Sequence, residues 1–125
     1  MAIEVFSPDV AIEYIPEYGK NRESDKPCIV KLRYVPFVKS QEYSRLIAAR
    51  LGQGAPREKV TEVSQAVQKR QFFDNVVSTS GFFVDGKEIT TVEGLWEHAP
   101  SELVHEIVTA MESALKLKEG LRVHA

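Results

Sequence analysis

Cys28-Ile29-Val30-Lys31-Leu32-Arg33-Tyr34-Val35 is the stretch on which the fold class turns. Val30, Leu32 and Tyr34 point one way, and Ile29, Lys31 and Arg33 point the other. Such alternation predicts a strand with one buried and one solvated face. Upstream, residues 9–15 alternate as well, with Val10, Ile12 and Tyr14 on one side. The polar run from Pro16 to Pro27 holds Gly19, Asn21, Ser24 and Asp25, and reads as a long hairpin loop. Glu13 is then expected opposite Lys31 or Arg33, a pair contributing about a few tenths of a kcal/mol. Two strands alone are marginal, so other elements must cover their apolar face.

Helices supply that cover. Ser40 is a good N-cap, and Tyr43, Leu46, Ile47 and Leu51 recur at helical spacing, which predicts a helix over 40–51. Gly52 and Gly54 end it, and Pro56 suits the first turn of the next. Val60, Val63, Val67, Phe73 and Val77 predict a second helix over 57–77. Phe82-Phe83-Val84 and Lys87-Glu88-Ile89 flank Asp85-Gly86, a strong hairpin signal over 82–89. Thr90 and Glu93 have capping-box spacing for a helix over 92–98 that buries Leu95 and Trp96. Leu103, Val104, Ile107, Val108, Met111 and Leu115 form an apolar stripe over 101–118, with Lys116 and Lys118 in its last turn and Gly120 after it. The expected architecture is α+β. A small antiparallel sheet, or separate hairpins, is packed by three to four helices in one domain over 1–125.

Composition bounds the function. The chain has 125 residues, 43% of them apolar, and a domain of this length buries roughly two thirds of its unfolded surface. Sixteen basic and eighteen acidic residues give a net charge of −2, which argues against a general nucleic-acid binder. A single cysteine, Cys28, excludes an internal disulfide and reads as a reduced, half-buried core residue. Neither a secretory leader, a membrane span nor a lipidation motif is read at Met1–Phe6, along the chain or at Leu121–Ala125.

Catalytic signatures are weak. Gly52-Gln53-Gly54-Ala55-Pro56 lacks the Lys-Ser/Thr of a phosphate loop, and no Gly-x-Ser-x-Gly elbow occurs. His98, Glu102 and His105 have partial metal-ligand spacing, but no second His or Cys pair supports them, and they read as the polar face of a helix. Lys59, Lys69 and Arg70 beside Phe72 and Phe73 are interleaved with Glu58, Glu62 and Asp74, which reads as a solvated face over core aromatics. No catalytic residue, metal or cofactor is expected. Adjacent Phe82 and Phe83 must leave a strand on opposite faces, so one is open to a partner.

The order of features in the second half resembles a known family. Asp74-Asn75-Val76-Val77, Phe82-Phe83-Val84, Asp85-Gly86-Lys87-Glu88-Ile89, Thr90-Thr91 and Gly94-Leu95-Trp96 precede a closing helix. In the first half, Tyr14-Ile15-Pro16-Glu17, a polar insert and Leu32-Arg33-Tyr34-Val35-Pro36 follow in order. Together these resemble the small tail proteins of long-tailed bacteriophages and prophages, in particular tail assembly chaperones. The resemblance implies a non-enzymatic protein in the cytoplasm of a bacterial host. Its partners are then tape-measure or tail-tube proteins, with no nucleic acid and no membrane, and a homo-oligomer is compatible. Phe72, Phe73, Phe82, Phe83, Leu95 and Trp96 are the expected partner-binding anchors. The alternatives are a structural virion subunit (a tail-completion or connector ring) and a small metal-dependent enzyme built on His98, Glu102 and His105.

Overall fold

The computed structural model describes residues 2–122. Its chain order is β1 (Ala11–Tyr14), a 3-10 turn (Tyr18–Glu23), β2 (Ile29–Arg33), α1 (Phe37–Leu51) and α2 (Arg57–Asn75). Then come β3 (Val76–Ser80), β4 (Phe82–Val84), β5 (Lys87–Ile89), α3 (Val92–His98), α4 (Ser101–Met111) and α5 (Ala114–Glu119). The fold is α+β, with an antiparallel sheet β1-β2-β3 and a separate hairpin β4-β5. Glu13 does lie opposite Lys31, and its carboxylate also takes Arg122 at 3.1 Å.

β2 is the centre of the sheet because it alternates most cleanly. Val30 and Leu32 are fully buried, while Lys31 between them is exposed. Val10 does not join the buried side. It precedes β1 and stands exposed, whereas Tyr14 is buried. One core gathers Tyr14, Val30, Leu32, Val35, Phe72, Leu95, Ile107, Met111 and Leu117 with their neighbours. Asp85 and Gly86 both take positive φ in the β4-β5 turn, as the Asp-Gly pair requires.

Several helix boundaries and caps differ from the sequence reading. Helix α1 starts at Phe37, not Ser40, because the Pro36 carbonyl accepts from Lys39 N–H and Ser40 N–H at 3.0 Å each. Pro56 occupies the N-cap of α2 rather than its first turn. Helix α2 ends at Asn75, and Val77 belongs to a strand, β3, instead of a helix. Buried Asn75 turns its amide onto the Gln71 carbonyl at 2.8 Å, and the β-branched Val76, Val77 and Thr79 that follow favour extended backbone. The helix expected over 101–118 is two helices. The Met111 carbonyl accepts from Val35 N–H at 2.7 Å, Ser113 turns extended, and its hydroxyl caps α5 through Lys116 N–H. Leu115, read as part of the stripe, is exposed as a result. Thr91, not Thr90, caps α3 by accepting from Gly94 N–H at 3.1 Å.

The outer edge of β1 is not bare. Ile15 N–H donates to Gly120 at 2.7 Å, Arg122 N–H donates to Glu13 at 3.0 Å, and Tyr14 bridges Leu121. Gly120 has φ −99, so it is not there for left-handed backbone. It is there for space: a Cβ on Gly120 would run into the Tyr14 ring.

Candidate functional site

The six expected anchors separate into three environments. Phe72 and Leu95 are fully enclosed in the core, so neither presents surface to a partner on this fold. Both pack in the core, where the sequence reading expected partner anchors. Phe73 and Trp96 are half-buried beside Phe72, with ring centroids 6.2 Å (Phe72–Phe73), 5.1 Å (Phe72–Trp96) and 6.1 Å (Phe73–Trp96) apart. Lys69 lies over the Phe73 ring at 5.7 Å. Phe82 packs on the core, and Phe83 on the opposite face of β4 is 60% exposed. An open apolar cavity of about 340 Å3 reaches Phe82, Leu103, Pro100, Pro16, Tyr18 and Cys28.

The hairpin loop over residues 16–27 is pinned by side-chain hydrogen bonds. The Asn21 amide donates to the carbonyls of Pro16 and Cys28, at 2.9 Å each, and its oxygen accepts from Cys28 N–H at 2.7 Å. Arg22 donates to the Ile15 carbonyl at 2.8 Å and to the Tyr14 hydroxyl at 3.3 Å. Glu106 of α4 completes the clasp. Its carboxylate accepts from the Tyr14 hydroxyl at 2.6 Å, Glu17 N–H at 2.7 Å and Tyr18 N–H at 2.9 Å. A charged acceptor held by three donors is strong. No sequence rule singles out this glutamate, because its partners lie about 90 residues away and it sits on an ordinary polar helix face.

A second polar group ties α1 to the end of α2. The Tyr43 hydroxyl donates to Asp74 at 2.7 Å and accepts from the Asn75 amide at 3.2 Å. Arg70 stands 3.8 Å from Asp74. These side chains, with Arg33 and Lys39, border an open cavity of about 520 Å3.

Tyr14, Cys28 and Tyr43 are all held protonated. Burial, then the Glu106 hydrogen bond and charge, push Tyr14 far above its usual 10.0, with Arg22 opposing. Burial and the bond to Asp74 push Tyr43 up to about 12. Burial pushes the Cys28 thiol up from 9.0, against the Thr79 hydroxyl 3.6 Å away. None of the three is activated as a base or nucleophile near neutral pH. The linkage gives a testable sign. Above pH 10 the unfolded chain releases tyrosine protons that the folded chain keeps, so stability falls as pH rises. Buried Tyr14 alone contributes a slope of up to about 1.4 kcal/mol per pH unit between its unfolded and folded values. Urea titrations from pH 8 upward are expected to show this fall, and Tyr14→Phe to make it shallower.

His98, Glu102 and His105 are all exposed. Among the described residues no group of three His, Cys, Asp or Glu side chains is arranged to hold a metal ion. Among them, too, no helix is long and apolar enough to cross a membrane. Comparison with known proteins finds no family model, no curated protein and no solved structure that matches this chain.

Proposed function

We propose that this protein is a non-enzymatic tail protein of a long-tailed phage or prophage. It acts as an assembly chaperone that binds tape-measure and tail-tube proteins in the cytoplasm of the bacterial host. The resemblance over the Tyr14–Pro36 and Asp74–Trp96 features supports this reading. The observation that carries it is the split of Phe82 and Phe83: one packs inward and the other stands 60% exposed on the β4-β5 hairpin. A large aromatic exposed on a strand face is the kind of anchor protein interfaces use. A structural virion subunit is the second reading. It is favoured by the pinned 16–27 segment, which suits a permanent rigid part.

Co-expression with the tape-measure protein of the same genome tests the chaperone reading. The tape-measure protein is expected to stay soluble and copurify. Phe83→Thr is expected to abolish copurification while changing stability by less than about 0.5 kcal/mol, since the side chain is exposed and threonine suits a strand. A tape-measure protein that aggregates equally with and without this chain contradicts the reading. Stoichiometric presence in finished particles selects the structural subunit instead.

A further inference from the structure

The cavity of about 340 Å3 beside the 16–27 loop presents mostly apolar surface. Of the residues that line it, Pro16 and Leu103 are buried, and Cys28, Phe82 and Pro100 are half-buried. Proline has no N–H to offer, and both proline carbonyls are already engaged. The Pro16 carbonyl accepts from Asn21 at 2.9 Å, and the Pro100 carbonyl accepts from Leu103 N–H at 3.0 Å and Val104 N–H at 3.1 Å. Asn21, also on the lining, spends its amide on Pro16 and Cys28 and its oxygen on Cys28 N–H. The Ser24 hydroxyl accepts from Lys26 N–H at 3.3 Å.

Among the described residues that line this cavity, Lys20 alone carries a charge. It forms no ion pair with any described carboxylate. Glu17 and Glu23 border Lys20 in a neighbouring cavity, where Arg22 stands 4.0 Å from Glu17, and neither carboxylate lines the apolar one. Lys20 has φ +59 directly after Gly19 at +60, a backbone conformation that a side chain disfavours. Its N–H donates to the Glu17 carbonyl at 3.1 Å, and the Asn21 bonds hold the residue that follows, so the surroundings fix this conformation. Left-handed backbone held beside a cavity is the kind of local strain found at ligand sites.

We propose that this cavity binds a small monocarboxylate with an apolar body, the body lying against Pro16, Phe82 and Leu103 and the carboxylate meeting the Lys20 ammonium. Walls whose amides and carbonyls are taken favour an apolar body, because a polar one would lose its water without replacement. A single cation with no carboxylate beside it on the lining favours one negative charge. The volume of about 340 Å3 is at the small end of ligand pockets, which suits a small molecule. The walls are set before a ligand arrives, since the Asn21 and Glu106 bonds hold residues 16–21, so little ordering opposes binding. The site does not include Phe83, does not rest on the tail-protein reading and can fail independently of it.

Titration of the isotope-labelled full chain with octanoate, octanol and octylamine, followed by amide NMR shifts, tests the site. Octanoate is expected to shift the Gly19, Lys20 and Cys28 amides saturably, and acetate, which lacks the apolar body, to shift none of them. Octylamine is expected to bind more weakly than octanoate by about twofold to fivefold, the range for an exposed ion pair. Lys20→Met is expected to remove that preference and leave octanol binding unchanged, which a merely structural role for Lys20 would not do. Ser24→Trp, at an exposed lining position, is expected to abolish octanoate binding, with a circular dichroism melt to check its fold. A wild-type chain without saturable shifts at these amides overturns the proposal. So does octylamine bound as tightly as octanoate, or a preference for octanoate that survives Lys20→Met.

Discussion

Gly120→Val is expected to destabilise the protein by about 3 kcal/mol or more, the upper range for overpacking a closed site. Gly120 is buried and its backbone carbonyl holds Ile15 N–H, so it cannot retreat without breaking the β1 edge. A Cβ at this position meets the Tyr14 ring and comes within 2.8 Å of Arg22 Nη2. Even Gly120→Ala pays this clash. The ordinary φ of −99 means that no backbone strain contributes, so the whole cost is steric. The cost of Gly120→Ala should therefore shrink sharply in a Tyr14→Ala background, a non-additivity that neighbours in contact show. Urea unfolding followed by circular dichroism and by Trp96 fluorescence measures both. Gly120→Ala within about 0.5 kcal/mol of wild type contradicts the packing assigned to Tyr14.

Glu106→Leu is expected to cost about 3 kcal/mol, because it leaves three donors without their charged acceptor and one of them, the Tyr14 hydroxyl, belongs to a buried residue. Glu106→Gln keeps one acceptor oxygen but turns an amide N–H₂ toward donors, and is expected to cost about 1–2 kcal/mol. The loss has a local signature. Hydrogen exchange at the Glu17 and Tyr18 amides should accelerate in both variants more than exchange in β2, which remains covered. Equal protection at Glu17 and Tyr18 in Glu106→Leu would show that the 3-10 turn is held by something else. Tyr14→Phe in combination with Glu106→Leu should cost less than the sum of the two, since each removes the same bond.

Local patterns were readable where neighbouring residues make the structure. The alternation over 28–35 places Val30 and Leu32 in the core, and Asp85-Gly86 forms its turn, because both depend on residues a few positions apart. The same holds for the bounds of α3, although Thr91 caps it in place of the expected Thr90. The third strand was hidden. Val77 falls at helical spacing from Phe73, so periodicity runs on through the point where Asn75 ends the helix by bonding back to Gln71. The break between α4 and α5 was masked likewise by the apolar stripe, since what stops α4 is a bond from Val35, 76 residues upstream. The burial of the phenylalanines was half legible. Adjacent Phe82 and Phe83 had to diverge, and they do, whereas nothing local distinguishes an interior Phe72 from a half-buried Phe73. The Glu106 clasp was invisible for the same reason: it consists wholly of contacts between distant parts of the chain.

Sequencing the DNA on either side of the gene tests the tail-protein assignment most directly. A tail-tube frame upstream, a very long helical frame downstream and a slippery site near the stop codon are the predicted result. Neighbours that encode ordinary metabolic enzymes would contradict it.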